Sequence, residues 1–174
     1  MTELSLYVLD IVQNSVAAGA SRIDVGITGK DGVLTFAVKD NGHGMSAEFL
    51  AKALDPFTTT RTTRRIGLGL PFLKQAAEQT GGTLRLDSEE GVGTELTAEF
   101  YTGHIDMPPI GDIKSTVVTL IQGSPGIRFV FDRGVYKLDT DELREQLGDE
   151  VPLNEPAVLE WIGEYVEENE KLTI

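Results

Sequence analysis

The 174-residue chain contains no cysteine, two histidines and one tryptophan. Without cysteine it can form neither a disulfide bond nor a cysteine-based metal site, and two histidines far apart in the sequence argue against a zinc site. No apolar run reaches the ~20 residues of a transmembrane helix. The N-terminus also lacks the basic start of a signal peptide. These absences favour a soluble, cytoplasmic protein.

Basic residues are scarce as well. The chain has 15 Lys and Arg against 28 Asp and Glu, a formal charge of −13, of which residues 1–102 carry −4 and residues 103–174 carry −9. An acidic surface repels nucleic-acid phosphates and anionic lipids, so neither nucleic acid nor a membrane is expected as a partner. Most acidic faces are simply solvated, and a basic protein partner is a second interpretation of this charge.

Residues 3–18 predict an amphipathic helix, because apolar residues recur at helical spacing from Leu4 to Val16. Asp10 and Asn14 lie four residues apart, which places them on one face of that helix. Asn14 offers an oxygen of the kind that Mg²⁺ prefers, and Asp10 is suited to hold or deprotonate an attacking group. The alternative is a solvent-facing polar pair.

The next candidate site follows two predicted strands, 22–28 and 33–39. Asp40 comes at the end of the second strand, which aims its carboxylate beyond the sheet. Gly42 and Gly44 permit positive φ angles and leave no Cβ to block a flat ligand. An ordinary Asn-Gly turn would have the same local sequence.

A third segment, residues 58–70, concentrates five threonines and three arginines before two glycines and a helix that Pro71 begins. The helix is expected to run to about Thr80 and to bury Phe72, Leu73, Ala76 and Ala77. Free N–H groups at its start, together with the arginines, would suit a triphosphate. A mobile surface loop is the alternative.

Strands are predicted again at 83–88 and 94–101, giving an α+β fold in which helices cover one side of a four-stranded sheet. After a connector at 106–112, the pattern predicts a helix at 113–121 and a hairpin of 127–131 with 135–138. Thr140 is expected to cap a helix at 141–147, and a last helix runs from 156 to 169. Trp161 on that helix is expected in the core, and contact with a partner is the alternative. Whether this part packs on the first or forms a subdomain stays open.

With these segments in order, residues 1–102 resemble the GHKL superfamily of ATPases, which includes DNA gyrase, the heat-shock chaperone ATPases, histidine kinases and MutL. The first box begins Asp10-Ile-Val-Gln-Asn14 and the second is Asp40-Asn-Gly42-His-Gly44. The third, Asp55-Pro-Phe57-Thr-Thr-Thr followed by Gly67-Leu-Gly69-Leu, and the last, Gly91-Val-Gly93-Thr94, are similar to those of histidine kinases. We therefore divide the chain into an ATP-binding domain, 1–102, and an acidic C-terminal extension, 103–174.

The resemblance implies a two-layer α/β sandwich, the Bergerat ATP-binding fold, with ATP on its open side. Asp40 would bind the adenine amino group, with Thr94 helping through a water, and Asn14 would hold Mg²⁺. Backbone N–H groups of the third box would bind the phosphates. The matching cofactor-binding positions are Asn14, Asp40, Gly42, Gly44, Arg61 in the lid, Gly67, Leu68, Gly69, Leu70 and Thr94.

The chain also departs from the family's patterns. Gyrase and MutL activate water with a glutamate where this chain has Asp10, which is one methylene shorter, and the Asp that MutL places three residues after Asn14 is Ala17 here. Histidine kinases carry a helical hairpin with a phosphoacceptor histidine, which nothing before residue 3 supplies. The anti-sigma serine kinases, in contrast, phosphorylate a separate protein.

Three hypotheses follow for the function. The first is an ATP–Mg²⁺-binding regulator that phosphorylates a partner protein or binds one in a nucleotide-dependent way, like the anti-sigma kinases. The second is an ATP-hydrolysing conformational switch of the gyrase and MutL type with Asp10 as its catalytic residue. The third is a non-catalytic module with ATP as a structural ligand. The oligomeric state is left open, a homodimer included.

Overall fold

The structure is a computed structural model that describes residues 3–55 and 69–173. Arg61, Gly67 and Leu68, all expected at a phosphate site, lie outside the described residues. The elements are α1 (Leu4–Ala17), β1 (Arg22–Lys30), β2 (Val33–Asp40), α2 (Ala47–Lys52), α3 (Gly69–Gln79), β3 (Thr83–Glu89), β4 (Gly93–Tyr101), α4 (Ile113–Gly123), β5 (Arg128–Asp132), β6 (Lys137–Asp139), α5 (Thr140–Leu147) and α6 (Pro156–Glu170).

The strands form one six-stranded sheet in the order β3-β4-β2-β1-β5-β6. Neighbours pair antiparallel, except that β5 lies parallel to β1, with Ile23 opposite Phe129. A parallel pair needs a crossover connection, and α4 lies within the one that leads to β5. The hairpin of the extension therefore continues the sheet of the first part. The division at residue 102 stays a prediction.

The sheet has one apolar and one polar face, as period-two alternation dictates. Ile23, Phe36, Ala98 and Phe129 are fully buried on the inner face, in one core cluster with residues of α1, α3, α4 and α6. The outer face of β1 carries the exposed pair Arg22 and Asp24. Burying each large apolar side chain contributes about 1.5–3 kcal/mol. The predicted α+β sandwich with helices over one side of the sheet is confirmed.

The start of α1 is held by the connector that follows β4. Glu3 makes no side-chain capping hydrogen bond. Instead, Leu4 and Ser5 donate their backbone N–H groups to the carbonyls of Pro109 and Ile110, each at 2.8 Å. The connector thus satisfies donors that a helix start would otherwise leave unpaired.

Within the described residues no helix combines the length and apolarity needed to cross a lipid bilayer.

The helices α2 and α5 begin with different caps. The Ser46 hydroxyl caps α2 by accepting from the N–H of Phe49 at 3.2 Å. Thr140 does not cap α5. Asp139 takes that position and accepts from the N–H of Asp141, whereas the buried Thr140 hydroxyl accepts from the N–H of Phe129 at 2.9 Å. Thr140 was predicted wrongly because its hydroxyl ties α5 to β5.

Two aromatic residues expected in the core are instead exposed. Phe72 is 39% exposed, since α3 turns Leu73 and Ala77 toward the core and Phe72 away from it. Trp161 is 49% exposed and stacks on Tyr165. On α6 the core positions are taken by other residues, namely Leu159, Ile162 and Val166. Both predictions were wrong because apolar character does not fix which side of a helix meets its neighbour.

Candidate functional site

A pocket of about 130 Å³ opens between α1, the start of α3, the segment before α2 and the inner face of the sheet. The walls are mostly apolar: Ile11, Val38, Met45, Phe49, Leu70, Leu86 and Leu96. We expected ATP on the open side of the sandwich, whereas this pocket lies on the other side of the sheet, and where ATP binds stays a prediction. Asp40 points the same way as Phe36 and Val38, so the pocket lies on the helix-covered face.

Asp40 ends β2 and lies in the wall of this pocket with 9% of its surface exposed. One carboxylate oxygen accepts from the Ser15 hydroxyl at 2.6 Å, and the other accepts from the N–H of Gly42 at 2.9 Å. A carboxylate has about four lone-pair positions, so acceptor capacity remains for a ligand N–H. Among the described residues that line the pocket, Asp40 is the only one with a carboxylate.

Thr94 lies directly opposite Asp40 in the β2–β4 register, so both side chains reach the same pocket. Ser88 donates its hydroxyl proton to the carbonyl of Gly93 at 3.0 Å and accepts from the N–H of Met45 at 2.8 Å. The Thr94 hydroxyl, 2.8 Å from that of Ser88, then acts as the donor. Its lone pairs stay available to a ligand or water.

The glycines of the turn after Asp40 are required by contacts within the chain. A Cβ at Gly42 would lie 2.8 Å from both the Cβ and the carbonyl oxygen of Ala18. Gly44 has φ +69°, and a Cβ there would lie 2.1 Å from the carbonyl oxygen of Glu89. These close approaches hold the turn between the end of α1 and the β3–β4 connection. A role of either glycine toward a ligand stays a prediction.

The two polar residues of α1 occupy different places. Asn14 lines the pocket, and its Nδ2 is buried without a hydrogen-bond partner among the described residues. Leaving such a donor unpaired costs about 1–3 kcal/mol, so a ligand acceptor there would be stabilising. Asp10 lies instead against the first residue of α3, where a Cβ on Gly69 would be 1.7 Å from its Oδ2. Burial raises the pKa of Asp10.

A magnesium site is only partly present. Residues 3–55 and 69–173 contain no cluster of three or more His, Cys, Asp or Glu side chains placed for a metal. Mg²⁺ commonly takes one or two protein ligands and fills its shell with water and substrate phosphates. The single amide of Asn14 therefore fits a magnesium ion that arrives with phosphates, and does not fit a resident ion.

The structure brings together five of the predicted positions, since Asn14, Asp40, Gly44, Leu70 and Thr94 all line the pocket. Gly42 is joined to them through its hydrogen bond to Asp40, and Gly69 contacts Asp10. Sequence reasoning missed Ser15, Met45, Phe49 and Leu86. Ser15 could have been found, because it continues the buried stripe Leu4, Val8, Ile11 of α1, where a polar residue needs a partner.

A sequence profile of the family described as "Histidine kinase-, DNA gyrase B-, and HSP90-like ATPase" matches residues 2–103. The chain is 31% identical over 86 residues to the "Probable C4-dicarboxylate sensor kinase" of Bacillus subtilis, which covers 49% of this chain and 16% of that protein. It is 36% identical over 83 residues to the "Sensor kinase CckA" of Brucella abortus, covering 47% of this chain and 9% of that one. The matches thus span less than a fifth of these relatives.

Among solved structures, the "Aquifex aeolicus MutL ATPase domain complexed with ADP" superposes with a TM-score of 0.49 and 18% identity. That superposition covers 84% of this chain and 68% of the MutL chain.

Proposed function

The chain belongs to the family of histidine kinase-, DNA gyrase B- and HSP90-like ATPases, and from this premise we propose that it binds ATP with Mg²⁺ and either phosphorylates a partner protein or changes its hold on one. The observation that carries the proposal is the Asp40 carboxylate, fixed by Ser15 and Gly42 in the wall of an apolar pocket.

Asp40 would select the base. Adenine presents its exocyclic amine as a donor at the position where guanine presents the O6 acceptor, so a carboxylate attracts the first and repels the second. The side chains of Val38 and Leu96 lie on the same inner face and would pack against the ring. Thr94, with its hydroxyl proton engaged by Ser88, would accept from a bridging water.

The phosphates would extend from the pocket toward the start of α3. Helix N-termini offer free N–H groups and a favourable dipole to anions, which supports roles for Gly69 and Leu70. The proposal extends these roles to Gly67 and Leu68, and assigns Arg61 a supporting charge. Asn14 would hold the magnesium ion, which would neutralise part of the phosphate charge.

Neither histidine of these 174 residues is proposed as the phosphoacceptor. The chain has two histidines, His43 and His104. His43 lies in the turn after Asp40, where its ring nitrogen is 2.7 Å from the carbonyl oxygen of Gly44, and His104 lies in the connector after β4. Neither is on a helix, where a phosphoacceptor histidine of the histidine-kinase kind would stand.

The test combines radiolabelled ATP with a pull-down of candidate partners, with and without ATP and Mg²⁺. Transfer of label to a captured protein identifies the kinase. If ATP changes which protein is captured but no label is transferred, the chain is a nucleotide-dependent binder. If it binds ATP without hydrolysis, label transfer or any change in the captured protein, it is the non-catalytic module. The Asp40→Asn variant should lose every ATP-dependent result, whereas Asp87→Asn on the outer face should keep them. Failure of the intact protein to bind millimolar ATP with Mg²⁺ would end the proposal.

A second candidate function is slow ATP hydrolysis as a conformational switch. The position of Asp10 against Gly69 favours it, since a carboxylate with a raised pKa near a phosphate site is a better general base. This candidate predicts phosphate release that Asp10→Ala abolishes and Asp87→Ala leaves intact. Release that continues at the same rate in Asp10→Ala would count against it.

A further inference from the structure

The extension carries an exposed groove between its last two helices. Leu143 and Leu147 of α5 face Val158 and Trp161 of α6 across a space of about 260 Å³. Trp161 exposes 49% of its surface. Exposed apolar groups are ordinary when scattered, but a contiguous group around a tryptophan is typical of a binding surface.

Trp161 packs against other aromatic residues, although it is exposed. Its ring stacks on Tyr165 at a centroid distance of 5.4 Å, and Tyr165 meets Tyr136 edge to face at 6.0 Å. The Tyr136 hydroxyl donates to Glu170 at 2.6 Å. An aromatic anchor that is already fixed loses little conformational entropy on binding. The groove is therefore preorganised for an apolar partner.

Exposed acidic residues neighbour the lining residues of the groove in sequence, and we refer to them as its acidic rim. Glu160 and Glu164 flank Trp161 on α6, with Glu168 two turns along, and Glu142 precedes Leu143 on α5, all of them exposed. The extension's arginines are paired elsewhere, for example Arg128 with Asp139, Arg133 with Glu170 and Arg144 with Asp141. Among the described residues, Glu142, Glu160 and Glu168 form no salt bridge.

We propose that this groove binds a basic amphipathic helix of a partner protein. Apolar side chains at positions i, i+3 or i+4 and i+7 of that helix would enter the groove against Trp161 and Leu147. Its lysines and arginines would lie over the acidic rim, and one placed on the indole face would gain a cation–π interaction.

The charge of the chain decides between possible occupants. A second copy would bring another acidic rim against this one, at a net charge of −13 per chain, and an anionic lipid surface would be repelled for the same reason. A basic helix satisfies the apolar groove and the rim together. This inference goes beyond the proposed function and does not depend on nucleotide binding, because the groove belongs to α5 and α6.

Trp161 provides the measurement, since it is the only tryptophan of the chain. The intact protein is titrated, without nucleotide, with three tryptophan-free peptides of about 18 residues, which is five helical turns. One places leucines and lysines in an amphipathic helical pattern, one replaces the lysines with glutamates, and one permutes the leucine–lysine composition. We expect a saturable blue shift with the first peptide, affinity at least ~10-fold above the other two, and weakening by salt.

Variants tie the effect to the groove. Trp161→Ala, followed through a fluorescent label on the peptide, should bind at least ~10-fold more weakly, and Trp161→Phe should recover part of the loss. Glu160→Lys should weaken binding, whereas Glu99→Lys, the same change of charge on the exposed outer face of β4, should not. Melting temperatures establish that each variant is folded.

Several results would overturn the proposal: no binding of the basic peptide up to ~1 mM, equal affinity for the acidic peptide, or unchanged affinity in Trp161→Ala. A dimer in sedimentation experiments that Trp161→Ala dissociates would assign the groove to a second copy instead. If this protein binds the peptide but no ATP, the proposed function is refuted and the groove inference stands. If it binds ATP but not the peptide, the groove inference is refuted and the proposed function stands.

Discussion

Asn14 and Arg133 are polar side chains on opposite sides of residue 102, and the fold treats them differently. Nδ2 of Asn14 is buried beside the pocket with no hydrogen-bond partner among the described residues. The Arg133 guanidinium, whose side chain is 9% exposed, makes four hydrogen bonds: two to Glu170 and one each to the carbonyl of Ile27 and the hydroxyl of Thr173. The Asn14 amide has a donor without a partner among the described residues, whereas the Arg133 guanidinium is satisfied within the chain.

The same contrast extends to the surroundings of these residues. Around the pocket, Asp40 and Thr94 keep unused acceptor positions between apolar walls, as expected where a polar ligand binds. In the extension, ion pairs tie β5, β6 and α6 together, while Trp161 is left exposed. If the pocket residues bind nucleotide as proposed, mutations should separate binding from stability.

The largest effect is expected from Arg133→Ala. Glu170 would lose its charge partner at a mostly buried site, which destabilises the fold by about 3 kcal/mol. Urea unfolding measures this loss, and ATP affinity below the unfolding transition should be unchanged. The matched control is Arg85→Ala, whose pair with Asp87 is exposed on the sheet and should contribute nothing measurable. A loss of ATP binding in folded Arg133→Ala would break the separation between the two regions.

Ser15→Ala should show the opposite pattern. Removing its hydroxyl frees one oxygen of Asp40 to rotate away from the ligand, so we expect about a tenfold loss of ATP affinity, or ~1.4 kcal/mol. Calorimetric titration measures the affinity, and the melting temperature should change little. If Ser15→Ala instead destabilised the fold as strongly as Arg133→Ala with affinity intact, the pocket's polar groups would be structural.

Asp10→Asn should change the pH dependence of stability by a smaller amount. Because burial raises the pKa of Asp10, the folded protein holds this proton more tightly than the unfolded chain. Stability is then lost as pH rises from the ordinary aspartate value of about 3.9 through the raised pKa. The variant should melt above the wild type at pH 7, with a gap that closes toward pH 4. A melting-temperature difference between variant and wild type that stays constant with pH would contradict the raised pKa of Asp10.

Magnesium alone should have the smallest effect. Asn14 is the only protein ligand that we propose for the ion, so millimolar Mg²⁺ without nucleotide should not shift the melting temperature, whereas Mg²⁺ with ATP should raise it above the value with ATP alone. Equal stabilisation by Mg²⁺ with and without ATP would indicate a resident metal site.

Much of the pocket could be predicted from local sequence. The strands from Arg22 to Tyr101 begin and end within two residues of their predicted bounds, because alternation and turn residues are local signals. The same alternation fixes the direction of Asp40. Ser15 carried a usable signal, as a polar residue on an apolar stripe. Met45 and Phe49 reach the pocket because the turn after Asp40 folds back over it, and no local sequence pattern specifies that path.

The extension was harder to predict. Its helices and strands follow local patterns, but the parallel pairing of β5 with β1 joins segments about a hundred residues apart through a crossover. Nothing in either strand specifies that partner. The exposure of Trp161 depends on where α5 packs beside α6, and a tryptophan on an amphipathic helix looks the same in both cases.

The most direct test of the account is the titration of the intact protein and its Asp40→Asn variant with ATP and with GTP, each with Mg²⁺. We expect the wild type to prefer ATP by at least ~10-fold, because only adenine donates to the carboxylate, and we expect the variant to lose this preference. Equal affinity for ATP and GTP in the wild type, or an ATP preference that survives in Asp40→Asn, would contradict it.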